Sequence, residues 1–219
     1  FAGFGDSGWQ SEYPFGTFDS ETLINYEVGL KGLFFEEKLQ LESAIFFMDY
    51  KDHWANAERL KDPNERFAGE SIFEGAMNVI DGTWIGGLEL SGAYTLTDTF
   101  TIRGFYAYLD AEVGDFSTVY CCDETAPTVD VDFTLNDGTT ITEQIQEPVN
   151  FGGNVLPLMS KHKYALTALW SPKIPTGSLT LLGTYAYTGT RHPDLSNIAR
   201  FELPSYTRVD LRAIWDSPD

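Results

Sequence analysis

Long hydrophobic runs are missing from this chain of 219 residues. No stretch reaches the roughly 18 consecutive apolar residues that a membrane-spanning helix needs, which excludes a helical membrane protein. Basic residues are scarce, because 14 Lys and Arg stand against 33 Asp and Glu, and the formal net charge is −19. Nucleic-acid phosphates require clustered Lys and Arg, so this balance argues against nucleic acid as a partner.

Signatures of catalysis are missing as well. The sequence has no G-x-S-x-G, no H-E-x-x-H and no glycine-rich loop that leads from a strand into a helix. Asp130 and Asp132 share a strand face, but acids on an exposed ribbon lack the desolvation that tunes catalytic carboxylates. We therefore expect a protein that is not an enzyme and that carries no cofactor.

Cysteine is nearly absent, and the two that occur are the neighbours Cys121 and Cys122. Adjacent cysteines can bond to each other only through a strained eight-membered ring, and a bond to a cysteine outside this sequence is the alternative. A metal site is disfavoured because no His or Cys stands at ligand spacing. The three histidines, His53, His162 and His192, are isolated near loop junctions and are expected at the surface or in a lumen.

Alternation of apolar and polar residues with period two is the strongest pattern that is present, and it predicts strands with one buried face. In the first of these segments Ile24, Val28 and Leu30 share one face, and Glu27 and Lys31 share the other. The predicted strands are Leu23–Lys31, Lys38–Asp52, Thr83–Leu96, Phe100–Glu112, Lys163–Trp170, Ser178–Thr190 and Tyr206–Trp215.

The links between these strands alternate between short and long. The short links are Gly32–Glu37, Thr97–Thr99 and Ser171–Gly177, and the long links are His53–Gly82, Val113–His162 and Arg191–Ser205. A soluble sandwich has no reason to place every long link at one end. A transmembrane barrel does, because its periplasmic turns are short and its extracellular loops are long.

Strand length and aromatic placement favour the same interpretation. Lys38–Asp52 and Thr83–Leu96 exceed the usual five or six residues of a soluble strand and suit a tilted membrane strand. Aromatic residues such as Tyr50, Trp84 and Trp170 collect toward strand ends, as in interfacial girdles. We expect an all-β antiparallel meander of about seven strands that forms part of a large transmembrane β-barrel with long extracellular loops.

The region Asp110–Gly153 has ten acidic residues and no Lys or Arg. Within it Thr128–Leu135 and Thr139–Gln146 flank Asn136-Asp137-Gly138, and Asp-Gly between alternating runs predicts a hairpin. Carboxylates such as Asp130 and Asp132 could hold Ca²⁺, but without EF-hand-like spacing the favoured interpretation is a solvated loop. This acidity also weakens an anionic small molecule as a ligand, since basic loops would attract it.

Five segments, in order, resemble strands of TonB-dependent outer-membrane receptors. They are Phe18–Lys31 (the "PET-x-x-x-YE-x-G-x-K" pattern, with Asp19-Ser20 replacing its proline-containing start), Phe46–Asp52 ("FYxDYKD"), Gly86–Leu90 ("GxELE"), Tyr108–Glu112 ("YLDAE"), and Leu156-Pro157 with Ser160-Lys161-His162 (a degraded "lP-x-x-P-K-H"). No single match is specific, but the series spans almost the whole chain. It implies the C-terminal part of a barrel of about 22 strands, with residues 1–219 a partial barrel domain and the plug domain and final strands outside it.

The resemblance implies a function, a location and partners. It predicts a receptor in the outer membrane of a Gram-negative bacterium that takes up a scarce nutrient, most often an iron–siderophore complex, with energy from TonB. The expected partners are outer-membrane lipid, the receptor's own plug and through it TonB, and a small ligand such as a metal chelate. Haem, cobalamin and oligosaccharide remain open as ligands, and the alternatives are a passive porin or structural barrel and a soluble β-sandwich binding module.

Two groups of residues are candidates for the functional site. Loop aromatics could form an apolar mouth around a ligand or pack among the loops: Trp9, Tyr13, Trp54, Phe116 and Tyr120. Charged residues on the polar strand faces are expected to line the lumen and to pair with each other or with a plug, since buried charges need partners: Glu27, Glu42, Glu89, Arg103, Asp210 and Arg212.

Overall fold

A computed structural model describes residues 20–60, 64, 73–80, 82–118 and 127–217. Thirteen strands run in chain order: β1 Thr22–Phe34, β2 Leu39–Lys51, β3 His53–Leu60, β4 Phe73–Ile80, β5 Thr83–Thr97, β6 Phe100–Glu112, β7 Ser117–Thr118, β8 Thr128–Thr134, β9 Thr140–Gln146, β10 Val149–Asn150, β11 His162–Trp170, β12 Ser178–Thr188 and β13 Tyr206–Asp216. A short 3₁₀ helix covers Ala199–Phe201. In the described ranges, no helix is long and apolar enough to cross a membrane.

The chain divides into two compact units. The sheet unit contains Ile24–Asp49, Trp84–Val113 and Phe151–Asp219, and the loop unit contains the described residues before Ile24 together with Tyr50–Thr83 and Gly114–Asn150. The sheet unit holds a seven-stranded sheet in the order β1-β2-β5-β6-β11-β12-β13, which is chain order. The predicted all-β meander of seven strands is confirmed, and each predicted strand end lies within three residues of the observed one.

Strand register sorts the side chains of this sheet onto two faces. Leu90 lies opposite Tyr106 and Tyr94 opposite Ile102, and the same face continues through the β11 pairings to Leu181 and, on β13, to Leu211. Apolar side chains on this face are open to the surroundings, with Val28 80% and Leu211 82% exposed. A soluble sandwich would bury such a face against a second sheet, so the sandwich alternative does not describe this unit.

Short and long links alternate along the sheet, as predicted. The first short turn, between β1 and β2, is closed by the Lys38 amide donating to the Phe35 carbonyl at 3.2 Å. The second and third short links lie side by side, because the Ser171 amide of the third donates to the Thr99 carbonyl of the second at 2.8 Å. Because neighbouring strands are antiparallel, all three long links leave the sheet at the other end of the strands.

The described part of the loop unit contains three small two-stranded sheets. The hairpin predicted around Asn136-Asp137-Gly138 forms as β8 and β9, and Gly138 takes the positive φ of 84° that the turn requires. The β3–β4 hairpin was not predicted, and β7 pairs with β10 over two residues. Ile80 and Thr83 are fully buried, and the Thr83 hydroxyl accepts a hydrogen bond from the Gly114 amide at 3.1 Å.

Candidate functional site

The second face of the sheet is polar, and register aligns its residues in rows across the strands. One row joins Arg103 to Thr167, Thr167 to Thr184 and Thr184 to Asp210. The hydroxyls of Thr167 and Thr184 lie 2.9 Å apart and hydrogen-bond to each other across β11 and β12. Arg103 and Asp210, both predicted to line a lumen, therefore share a face and a row although 107 positions separate them in the sequence.

A groove of about 690 Å³ opens on this polar face. Five neighbouring strands contribute to it, from β1 to β11, and three of the predicted lumen carboxylates are among its walls. The polar and aromatic residues that line it include Glu27, Lys31, Glu42, Glu89, Ser91, Phe105 and Lys163. The structure thus brings Glu27, Glu42 and Glu89 together.

Ion pairs on the polar face are local. The Lys31 ammonium lies 2.6 Å from Glu42, which also accepts from the Gln40 amide at 3.2 Å. On β13 the Arg208 guanidinium pairs with Asp210 at 2.8 Å. Arg208 was not among the predicted lumen residues, and it, rather than Arg103 or Arg212, is the partner of Asp210.

The apolar face carries aromatic side chains near both ends of its strands. Tyr164 pairs in register with Tyr106 and with Tyr187, and the rings of Tyr164 and Tyr187 stack with centroids 5.0 Å apart. At the other end Trp215 lies beside Leu179. Eight residues of β13 separate the two bands, which is about 26 Å along the strand at roughly 3.3 Å per residue. That spacing suits the apolar band of a membrane barrel, about 25 Å tall.

Two long links of the sheet unit are joined by side-chain amides. The Asn197 side chain accepts from the Val155 amide at 2.7 Å and donates to the Val155 carbonyl at 3.0 Å. The Asn154 side chain donates to the Leu195 carbonyl at 2.8 Å. Each asparagine satisfies backbone groups of the other link, so the two links have one defined arrangement.

The aromatic residues that were predicted to contact a ligand are only partly described by the structure. Trp9, Tyr13 and Tyr120 lie outside the described residues, as do Cys121 and Cys122, and Trp54 is placed on β3 without its side chain being described. Phe116 is only 3% exposed, and its amide donates to the Asn150 side chain at 3.3 Å. The Phe116 side chain is therefore buried, and its contact with a ligand stays a prediction.

Carboxylates of the β8–β9 hairpin interact with polar side chains of the same hairpin. Asp132 accepts from the Thr142 hydroxyl at 2.6 Å, and Asp130 lies 3.5 Å from the Gln144 amide. Within the described part of the chain, no three His, Cys, Asp or Glu residues come together in a way that could hold a metal ion. Calcium at Asp130 and Asp132 stays a prediction.

Comparisons with known proteins give a consistent picture. A family model described as "TonB dependent receptor-like, beta-barrel" matches residues 1–218. No curated protein matches the sequence.

Three solved structures share the fold. The siderophore receptor PiuA from Acinetobacter baumannii is 23% identical over 89% of this chain, with a TM-score of 0.53. BauA, the ferric preacinetobactin receptor of the same organism, is 17% identical over 90%, with a TM-score of 0.54. The ferric-catecholate import receptor Fiu from K12 E. coli is 16% identical over 90%, with a TM-score of 0.51. The chain spans 22%, 23% and 21% of these three proteins, respectively.

Proposed function

Because this chain belongs to the TonB-dependent receptor-like β-barrel family, we propose that it forms part of the barrel wall of a receptor that imports a scarce nutrient with energy from TonB. Barrels of this family lie in the outer membrane of Gram-negative bacteria, and that is the location of this chain. Proteins of the family are transporters rather than enzymes.

The observation that carries the proposal is the two-faced sheet. Seven strands follow one another in chain order, with an exposed apolar face and a polar face that holds a groove of about 690 Å³. Lipid is the environment in which an exposed apolar face is stable, and a wet lumen suits the charged face.

The rest of the receptor lies outside these 219 residues in this proposal. Among the described strands, the edge strands β1 and β13 have one neighbour each, and open edges do not occur within the hydrocarbon region of a membrane. About fifteen further strands would complete a barrel of roughly 22, the size of the plugged outer-membrane transporters. The plug then lies within the water-filled lumen, next to the polar face.

An iron–siderophore complex is the nutrient that we propose. The three similar solved structures are, by their descriptions, a siderophore receptor, a ferric preacinetobactin receptor and a ferric-catecholate import receptor. The shared fold supports the proposal, whereas the ligands in these descriptions are those of the three similar proteins.

Iron uptake by the native organism tests the proposal. The gene for the complete protein is deleted, and accumulation of ⁵⁵Fe from a panel of ferric siderophores is compared in the parent, the deletion and a complemented strain, each with and without TonB. We expect one siderophore to lose uptake in the deletion strain and in the parent lacking TonB. Uptake that needs the gene but not TonB would point to the passive porin, and unchanged uptake of every siderophore would overturn the assignment to iron.

A further inference from the structure

At its long-link end, the apolar face carries polar and charged side chains among its aromatic rings. Tyr106, Tyr108 and Asp110 follow one another at two-residue spacing on β6, so they share this face. Register places His162 opposite Tyr108, and Lys161 stands immediately before the start of β11. We call Tyr106, Tyr108, Asp110, Lys161 and His162 the rim cluster.

Hydrogen bonds and ring contacts connect the members of the rim cluster. The Tyr106 hydroxyl lies 2.9 Å from Nδ1 of His162, and the centroids of the His162 and Tyr108 rings are 5.4 Å apart. The Tyr108 hydroxyl donates to Asp110 at 3.3 Å. The Lys161 ammonium lies 3.1 Å from Asp110 and 5.7 Å from the centroid of the Tyr108 ring, a cation–π contact. The five side chains therefore form one connected patch.

Hydrogen-bond donors remain at the rim cluster after these contacts. When the Tyr106 hydroxyl donates to Nδ1, the neutral His162 ring carries its proton on Nε2, and the bond to Tyr106 does not use that N–H. The Lys161 ammonium has three N–H groups. The Lys161 side chain is 56% exposed and that of Asp110 is 41% exposed, and such an open ion pair contributes little to stability. Both charges can therefore contact a ligand that lies against the apolar face.

The aromatic band at the short-turn end of the same face is built differently. Phe100 pairs in register with Trp170, and Leu179 pairs with Trp215. None of these four side chains is charged. The Trp215 indole nitrogen donates to the Thr176 carbonyl at 3.1 Å, so its polar atom is bound by the chain's own backbone. Rings of this kind are sufficient for anchoring at a membrane interface, and the ionic groups of the rim cluster exceed that requirement.

The two ends of the apolar face meet different lipids. In a Gram-negative outer membrane the inner leaflet is phospholipid, whereas the outer leaflet is a glycolipid with a phosphorylated sugar headgroup. The long links are extracellular, so the rim cluster lies at the outer leaflet. A phosphate accepts strong hydrogen bonds from an ammonium group, and sugar hydroxyls donate to carboxylates and bond to phenol oxygens. The rim cluster offers both kinds of group, and the Phe100–Trp170 and Leu179–Trp215 pairs do not.

We propose that the rim cluster binds the phosphorylated sugar headgroup of an outer-leaflet glycolipid. Lys161 and the Nε2–H group of His162 bind a phosphate. Asp110 and the two tyrosines bind sugar hydroxyls, and the acyl chains lie along the exposed apolar side chains of the same face. The site is on the opposite face of the sheet from the groove, and the inference does not depend on which nutrient the receptor carries.

Lipid binding to the purified, delipidated full-length receptor tests the inference, with native mass spectrometry as the measurement. The probes are bisphosphorylated lipid A, lipid A from which both phosphates have been removed, and phosphatidylglycerol, which has a phosphate but no sugar.

The variants are Lys161→Gln, His162→Phe and Tyr108→Phe, and Lys161→Arg is the conservative variant. Lys173→Gln is the matched control, because it removes one positive charge from the short link at the other end of the strands. Heat-modifiable migration on gels checks that each variant folds.

The wild-type receptor is expected to bind bisphosphorylated lipid A about 10-fold more tightly than phosphatidylglycerol. Lys161→Gln and His162→Phe should each weaken binding of bisphosphorylated lipid A by about 3- to 10-fold, and should change binding of the dephosphorylated form less than about twofold. Tyr108→Phe should weaken both forms of lipid A, because both retain the sugar. Lys161→Arg and Lys173→Gln should bind as the wild type does.

Three other outcomes would overturn the inference. If the wild-type receptor binds phosphatidylglycerol as tightly as lipid A, the rim cluster does not recognise the sugar. If the cluster variants bind bisphosphorylated lipid A as tightly as the wild type, the rim cluster is an aromatic girdle and no more. If they weaken binding of all three lipids equally, the cluster supports the fold at this end of the strands. The proposed function stands in each case, because iron uptake is measured separately.

Discussion

The ring of Phe46 lies directly over the backbone of Gly87 on the polar face of the sheet. A Cβ at Gly87 would be 2.6 Å from Cζ of Phe46 and 2.6 Å from the Tyr108 carbonyl oxygen. Phe46 is only 8% exposed, so the missing side chain at Gly87 is what allows this ring to be buried against β5.

Gly87→Ala is therefore expected to destabilise the barrel by about 1–3 kcal/mol, the usual cost of overpacking, since one close contact is with rigid backbone. Gly86→Ala is the matched control, because a Cβ there meets nothing closer than 3.4 Å, at the Trp84 ring. Denaturant unfolding of the complete protein in lipid vesicles measures both. Equal stabilities of the two variants would show that Phe46 does not occupy this position.

Substitution of Asn197 is expected to loosen the two long links that its side chain joins. Its side chain makes two hydrogen bonds to Val155, and its φ is 51°, a left-handed conformation that Asn tolerates better than Ala. Asn197→Gly removes the side-chain hydrogen bonds but still adopts the positive φ readily. Asn197→Ala removes the hydrogen bonds and also disfavours the positive φ.

Hydrogen exchange of residues 151–160 and 192–198 should rise in both variants, and more in Asn197→Ala. The strands β11 and β12 should keep wild-type protection, because the change is local. Unchanged exchange in the two links would contradict the hydrogen-bonded arrangement.

Protonation of His53 should make the stability of the loop unit depend on pH. Its ring stacks on Tyr50 with centroids 4.6 Å apart, and the Tyr50 hydroxyl donates to Glu21 at 2.8 Å. Burial lowers the pKa of His53 below its ordinary value, and the charge of Glu21 opposes that effect. Because the folded state holds the proton less tightly than the unfolded state, this contribution to stability is complete above about pH 6.5 and is lost as the pH falls through the folded pKa.

NMR titration of the His53 ring should therefore give a midpoint below 6.5. Glu21→Gln should lower the midpoint further, since it removes the opposing charge. A midpoint at or above the ordinary value would show that the ring is not buried against Tyr50.

The hydroxyl pair of Thr167 and Thr184 tests whether the polar face is wet. Thr184→Val removes one partner of a 2.9 Å hydrogen bond. Beside a water-filled lumen the Thr167 hydroxyl can bond to water, so the loss of unfolding free energy should be about 0.5 kcal/mol or less. A loss of about 1–3 kcal/mol would indicate a dry surrounding, because the remaining hydroxyl would stay unsatisfied.

Much of the fold could be predicted from the sequence because period-two alternation is a local signal. The face that carries Glu27 and Lys31 follows from their spacing alone. The β3–β4 hairpin was missed because residues 53–60 and 73–80 lack both clean alternation and a tight turn between them.

The row that joins Arg103 to Asp210 could not be predicted for a different reason. The two residues are 107 positions apart in the sequence and belong to β6 and β13. Only the register of β6, β11, β12 and β13 brings them to the same row, and register between distant strands is not contained in the pattern of any one of them. Alternation does place Arg103 and Asp210 on the polar face, which was the one signal available.

The central claim is that the apolar face of the seven strands meets lipid and the opposite face meets water. Nitroxide labels placed one at a time at residues 179–187 of β12, in the full-length protein in lipid vesicles, test it most directly. Oxygen should relax labels at Leu181, Gly183 and Tyr185, and a water-soluble nickel chelate should relax those at Leu182, Thr184 and Ala186. Oxygen contact without this two-residue alternation, or nickel contact at Leu181 and Tyr185, would contradict the account.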